Sequence, residues 1–393
     1  MTAADVTQTA DSDGEWTVFS VDDHVIEPPD TWTSRVPAKY KDRCPKVVER
    51  APGEGFVWDF DGDQRLFSGL QCMVDHPPEE WHRPIDSFSD LYGGCSDPHL
   101  RIKDMDDAGV VASVCFPTMP GFGGTWLNRN PDRDLSYACV KAYNDFILDE
   151  WCAAAPGRFV PGVLLPYWDP SLAVKELHRC VELGARAVVF SERPHQQGFP
   201  SLFDADRYWD PVLAAVEETQ VALCCHIGSS SKIDMPDDAD YLTHNSEIWL
   251  NAPYSMAEYV FSGTFDRFPG LAVVYSEASI GWMPYMLQTM DHFFDAQQAW
   301  TRSELKDRPS EYFGRNMFGC FINDELGAGF IERLGVDAIM AEVDYPHADT
   351  IWPNVQSVID KHLSGLSAED QYKVRRSNAE RVFRFTPSGL GRP

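Results

Sequence analysis

Among the ten cysteines of this 393-residue chain there is no C-x-x-C pair, and no uninterrupted apolar run approaches the ~20 residues a membrane span requires. The first absence removes the paired-thiol metal and redox motifs, and the second removes a helical span. Cys115, Cys224, Cys225 and Cys320 instead lie inside apolar strand-like runs, where a thiol packs as a small hydrophobe, and a reducing cytoplasm is the compartment expected from this usage. Basic residues are scarce: 33 Lys and Arg face 61 Asp and Glu, for a formal charge of -28. A nucleic-acid backbone or an anionic membrane would be repelled by that excess, so neither is expected as a partner. The first fifteen residues lack the basic start and apolar centre of a secretory signal, and residues 1–15 read as a disordered tail. No G-x-G-x-x-G or P-loop follows an early strand, which argues against an open nucleotide-binding sheet.

What is present is core-forming sequence, 44% hydrophobic, and a repeated local design. Short apolar runs rich in β-formers close on an acid or a histidine: Ser20-Val-Asp-Asp-His24, Ala222-Leu-Cys-Cys-His226, Val273-Val-Tyr-Ser-Glu277 and Ala338-Ile-Met-Ala-Glu-Val-Asp344. Eight strand-like runs can be placed, at 17–24, 110–116, 159–165, 185–190, 221–227, 271–276, 316–322 and 338–343. Helical patterns fall between them at 97–108, 132–154, 169–183, 206–219 and 248–262, with two more at 353–363 and 367–382. Asp97-Pro98 and Asp169-Pro170 are N-cap and first-turn pairs, and Gly109 and Gly184 are stops.

This alternation predicts an α/β fold, a (β/α)8 TIM barrel over 16–385 with a long insertion after strand 1 at 25–97, and a short C-terminal tail at 386–393. The insertion is rich in Pro, Gly, Asp and aromatics and reads as a lid or subunit contact, which makes an oligomer the expected state.

A barrel of this kind gathers its chemistry at the C-terminal ends of its strands. Asp22 and His24 stand two apart on a strand, so both side chains point to one face. His226 closes the fifth strand and Asp344 follows the eighth. Two imidazoles and two carboxylates suit a divalent ion such as Zn²⁺, Mn²⁺ or Fe²⁺ with a position left for water or substrate. Taken singly, each residue is more often a cap or a satisfied core group; four gathered at three strand ends point to a shared site. The loop aromatics Trp58, Trp81, Trp126, Trp249, Trp282 and Trp352 either wall a pocket or pack loops onto the barrel, with packing expected for most. Arg83, Arg129 and Arg193 are candidate partners for a substrate carboxylate, with nothing to choose among them.

The stretches Val21-Asp-Asp-His-Val-Ile-Glu-Pro28, His226-Ile-Gly228, Ser262-Gly-Thr-Phe-Asp-Arg-Phe-Pro269, Tyr275-Ser-Glu-Ala-Ser-Ile-Gly-Trp282 and Val343-Asp-Tyr-Pro-His347 resemble the amidohydrolase superfamily. The branch they are similar to holds the aminocarboxymuconate-semialdehyde and aromatic-acid decarboxylases. The resemblance implies metal ligands at Asp22, His24, His226 and Asp344, with Asp344 also a proton shuttle. It implies a metal-dependent hydrolase or lyase acting on a small organic acid, ester or amide through metal-bound water.

Three departures follow from the same comparison. The first is Asp22 in place of the first histidine of the family's strand-one H-x-H, which makes the site harder and more anionic and favours Mn²⁺ or Fe²⁺. Decarboxylase relatives carry a catalytic histidine where this chain has Glu277, which becomes the second candidate acid/base, and strand four lacks the metal-bridging lysine of some relatives. Glu27, His244, Glu277 and His347 are spare donors for a second metal, or for groups that orient the first. A dinuclear site would resemble the 2-aminoisobutyrate hydroxylase pair, a non-haem iron or manganese monooxygenase working with a paralogous barrel chain.

Overall fold

A computed structural model describes residues 17–50, 55–66, 71–72, 74, 76–81, 87–230, 235–236 and 238–388. The expected 1–15 tail, the end of the C-terminal tail and Arg83 lie outside the described residues.

Eight parallel strands form one sheet: β1 (Val18–Val25), β5 (Val110–Pro117), β6 (Phe159–Val163), β7 (Ala187–Phe190), β8 (Ala222–His226), β9 (Val273–Ser276), β10 (Met317–Phe321) and β11 (Ile339–Ala341). Their order around the sheet is their order along the chain. The seam is closed by backbone just past β11: the Asp344 N–H donates to the Asp22 carbonyl at 2.8 Å, and the His24 N–H to the Tyr345 carbonyl at 2.6 Å. The result is the (β/α)8 barrel expected from the alternation. Every residue of these eight strands is buried, because helices cover the outer face and side chains fill the inner one, which is why the strands read as continuous apolar runs. Most of the strands stop one or two residues short of the ends of the apolar runs that predict them.

Two of the covering helices start as their sequences require. Asp97 accepts the N–H groups of His99 and Leu100 at the head of Pro98–Ala108, and Asp169 those of Ser171 and Leu172 at the head of Pro170–Glu182. Gly109 ends the former at φ 71°. The 19-residue helix Met283–Thr301 was not anticipated. Its apolar residues face both ways: Leu287, Met290 and Phe294 are buried, while Tyr285, Phe293 and Trp300 are exposed, which blurs the one-sided period a surface helix normally shows.

The 25–97 insertion has regular structure of its own. β2 (Lys46–Glu49), β3 (Phe56–Phe60) and β4 (Asp63–Leu66) form an antiparallel sheet in that order. Trp58 is fully buried edge-to-face against Trp32, with ring centroids 5.4 Å apart. Among the described residues of the insertion, Trp32, Trp58 and Phe60 are packed into the core, while β2 and β4 are half-buried to exposed.

Interior space is tight where neighbouring strands touch. A Cβ on Gly162 in β6 would lie 2.6 Å from the Cys115 carbonyl oxygen and 2.9 Å from Val189 Cγ2. Since backbone cannot step aside as a flexible side chain can, Gly162→Ala is expected to cost about 1–3 kcal/mol, the usual range for overpacking, seen as a lower midpoint in urea unfolding.

Candidate metal centre

β1 sends Asp22 and His24 inward, and the intervening Asp23 turns to the opposite side, where it accepts from Ser113 Oγ and from the Tyr345 N–H at 2.9 Å. From across the barrel His226, the last residue of β8, brings its Nε2 to 3.0 Å from that of His24. Asp22 lies 3.3 Å from His24 Nε2 and 3.2 Å from His226 Nε2. Asp344 approaches His24 Nε2 to 3.4 Å and Glu277 approaches His226 Nε2 to 3.2 Å. Donor atoms of Asp22, His24, His226 and Glu277 all lie within 4.8 Å of one another, as do those of His24, Glu277, Asp344 and His347.

The orientation of these groups suits a cation. His226 Nδ1 sits 2.7 Å from the Ile227 carbonyl and His24 Nδ1 3.4 Å from that of Pro117. A carbonyl can only accept, so Nδ1 carries the proton in each neutral ring, and the two Nε2 lone pairs face each other. All four carboxylate oxygens of Asp22 and Asp344 are buried and receive no hydrogen bond. Buried oxygens without donors are costly, and a divalent ion is the group that satisfies carboxylates and imidazole lone pairs together.

Electrostatics shows the same crowding. Burial opposes the charge on Asp22, but the attraction of His226 and His24 outweighs it and holds the carboxyl at about 2. Burial pulls His24 down to about 4. For His226 burial is overcome by Asp22 and Glu277, which lift it to about 9. Burial, reinforced by Asp22, pushes Glu277 up to about 8 against the pull of His226. Asp344 is driven far up by burial and then by the neighbouring Glu277, Asp22 and Asp349. Burial and mutual repulsion thus hold Glu277 and Asp344 toward their neutral, protonated forms.

Backbone strain falls at the same places. Glu277 and Asp344 have φ values of 58° and 57°, and Ser279 has 57°. Non-glycine residues held there cost on the order of 1–3 kcal/mol each, and such strain concentrates at functional sites. The Glu277 N–H donates to Glu342 Oε2 at 3.1 Å, and Glu342 is fully buried. Glu342→Leu leaves that N–H without a partner and is expected to destabilise the fold by about 1–3 kcal/mol, whereas Glu342→Gln keeps an acceptor and costs less; chemical denaturation of the pair checks this.

The spare donors separate. His347 joins the cluster: its Nδ1 is 3.0 Å from Asp344 Oδ1, and its ring stacks on His24 with centroids 3.7 Å apart. Glu277 joins it as well. Glu27 does not, because its two oxygens accept the N–H groups of Thr118 and Met119 at 3.0 and 2.9 Å and pin the loop after β5. His244 also stays out, half-buried on the helix Tyr241–Glu247 at the rim of a cavity.

That cavity, about 570 Å³, opens above the cluster and is lined by Phe122, Trp249, Glu277, Asp344 and His347 among others. Of the six tryptophans considered, Trp249 alone is among its lining residues, and Trp58 and Trp126 are buried in packing. Arg193 is bound to Glu258 and Asn251 instead of facing the cavity.

Glu192 and Glu342, not among the residues expected at the site, are both fully buried, each with one oxygen lacking a donor. Burial raises Glu192 to about 8. Each directly follows or nearly follows an apolar strand, the same signal that singled out Asp22 and His226.

The amidohydrolase family model matches residues 42–385. The chain belongs to the amidohydrolase family. Gamma-resorcylate decarboxylase of Rhizobium sp. (strain MTP-10005) is 28% identical to it over 307 residues, covering 72% of this chain and 86% of that enzyme. An amidohydrolase from Mycobacterium avium subsp. paratuberculosis K-10 has a similar fold, with a TM-score of 0.76 at 21% identity over 94% of this chain and 99% of the other. Dihydroxybenzoic acid decarboxylase from Polaromonas sp. JS666, solved with manganese and 2-nitroresorcinol, superposes with a TM-score of 0.62 at 19% identity over 94% and 97%. This amidohydrolase-family chain is thus an enzyme of the superfamily, in the branch similar to the aminocarboxymuconate-semialdehyde decarboxylases.

Proposed function

We propose that the chain is a lyase or hydrolase of a small organic acid, ester or amide, with one divalent ion held by Asp22, His24, His226 and Asp344. The observation that carries this reading is the convergence of two Nε2 lone pairs and four donor-less carboxylate oxygens beneath an open cavity. An ion bound there would supply a Lewis acid and bring the pKa of a bound water toward ~7. The protein's own part is proton handling and exclusion of solvent. Glu277 lies on the cavity wall beside His226, where a carboxyl can give a proton to substrate or take one from it. His347 sets its Nδ1 3.0 Å from Asp344 Oδ1 and stacks on His24, packing against both. Phe122 covers His226 and His24, at 3.9 and 4.9 Å between centroids, and keeps bulk water off the imidazoles.

Manganese is the first metal to supply, because the Polaromonas decarboxylase binds it. The test is product analysis with manganese-loaded protein on 2,6-dihydroxybenzoate and on a panel of simple esters and amides. Carbon dioxide release or ester and amide cleavage supports the reading, and neither, on a fully loaded protein, counts against it.

The donors form two groups that share His24 and Glu277, and this favours a second reading, a dinuclear iron or manganese oxygenase component acting with a paralogous chain. Dioxygen uptake with about two metals per chain, and no hydrolysis or carbon dioxide release, would select it.

A further inference from the structure

Near the end of β1 the backbone of His24 meets a break in the barrel seam. Its N–H donates to the Tyr345 carbonyl at 2.6 Å. In a parallel ladder the carbonyl of the same residue would then accept from the N–H two positions further along the neighbouring strand, that of His347. The chain has already turned there, with Asp344 at φ 57°, and the His347 N–H donates to the Asp344 carbonyl at 3.0 Å instead. The ladder therefore offers no donor to the His24 carbonyl, directly behind the imidazole that faces His226.

Arg101, on the helix Pro98–Ala108, takes that place. Its Nη2 donates to the His24 carbonyl at 2.7 Å and its Nε to the Gly94 carbonyl at 2.7 Å. The side chain is 1% exposed, and its guanidinium lies 4.1 Å from the centroid of Tyr345, the residue directly after Asp344. Tyr345 is tied down in turn: its N–H donates to Asp23 Oδ1 at 2.9 Å and its hydroxyl to Asp104 Oδ2 at 2.7 Å.

One buried cation thus joins three segments, the end of β1, the turn after β11 and the end of the insertion. The insertion comes close enough that a Cβ on Gly94 would fall 2.1 Å from Asp104 Oδ2 and 2.4 Å from Tyr345 Oη. Burying a guanidinium is costly, and Nη1 here is buried without any hydrogen-bond acceptor. Stability alone explains such a group poorly; its contacts converge on the two residues His24 and Tyr345 that carry or adjoin the candidate ligands.

We propose that Arg101 is a positioning residue of the metal centre: by holding the His24 carbonyl and packing on Tyr345, it sets the strand-one histidine and the strand-eight aspartate at the separation a divalent ion requires. The inference rests on the metal-centre reading above and adds a residue that touches neither ion nor substrate. Lysine cannot stand in for it, because an ammonium on a flexible stem lacks the planar fork that bonds two carbonyls while lying on a ring.

Arg158 supplies a matched control. It is 3% exposed, and its Nε and Nη2 donate to the Val111 and Val110 carbonyls at 2.8 and 3.0 Å, at the start of β5 and so at the opposite end of the barrel from the centre. Manganese titration, with thermal unfolding in chelator as the measure of fold, is made on the full-length wild type, Arg101→Lys and Arg158→Lys. The expected result is a loss of manganese affinity of at least about tenfold in Arg101→Lys and under about threefold in Arg158→Lys, both chains still unfolding cooperatively in chelator. A smaller loss in the first, a larger one in the second, or an Arg101→Lys chain that does not fold in chelator overturns the inference and leaves the metal centre standing. A wild-type chain that takes up no manganese overturns both.

Discussion

Asp344→Asn is expected to weaken divalent-metal binding by at least about 100-fold and to lower kcat/KM by about 10²–10⁴, while the barrel stays folded. Asp344 is buried, carries two oxygens with no hydrogen-bond donor, and meets both His24 and His347. The amide keeps its size but replaces one anionic oxygen by an NH₂ group, which cannot ligate as a carboxylate does and would aim donors at the cation. The substitution also removes one of several mutually repelling buried carboxylates, so the metal-free variant should be no less stable than the metal-free wild type. Metal titration checks the first part and thermal unfolding in chelator checks the second. A variant that binds metal as the wild type does would remove Asp344 from the ligand set.

The other large effect is expected at Glu277. Glu277→Gln preserves volume and the backbone hydrogen bond to Glu342 but cannot exchange a proton, so kcat should fall by about 10²–10⁴, the usual contribution of a positioned acid or base. If Glu277 acts through proton transfer alone, metal content and KM stay close to wild type. If it is a ligand, as its place 3.2 Å from His226 Nε2 also allows, metal content falls with activity. Steady-state kinetics with elemental analysis on the same preparation separates the two, and an unchanged kcat would exclude both roles.

The barrel was legible because its strands are apolar on both faces and its helices carry strong start signals at Asp97-Pro98 and Asp169-Pro170. The residues brought together at the centre were also visible as a pattern, an acid or histidine closing an apolar run. What periodicity cannot show is which donors are already engaged. Glu27 follows β1 as plausibly as Asp22 precedes its end, yet two backbone N–H groups claim it, and that depends on a loop about 90 residues later. His244 and His347 look alike as histidines beyond strands, but His347 follows Asp344 by three residues and folds back onto it.

The left-handed φ of Glu277 had no local signal either, and that of Asp344 only the weak one that Asp visits this region more often than most residues. The antiparallel sheet of the insertion was hidden for a related reason. Its strands are four or five residues long, and pairs such as Lys46 opposite Asp59 and Trp58 opposite Arg65 become apparent only once the register is known.

The central claim is that the strand ends build a divalent-metal site, and the most direct test is elemental analysis of the full chain purified without chelators and then supplied with manganese. About one tightly held divalent ion per chain is expected, retained through desalting and lost when His226 is replaced by Ala. A wild-type chain that retains no metal, or a His226→Ala chain that retains as much, would contradict it.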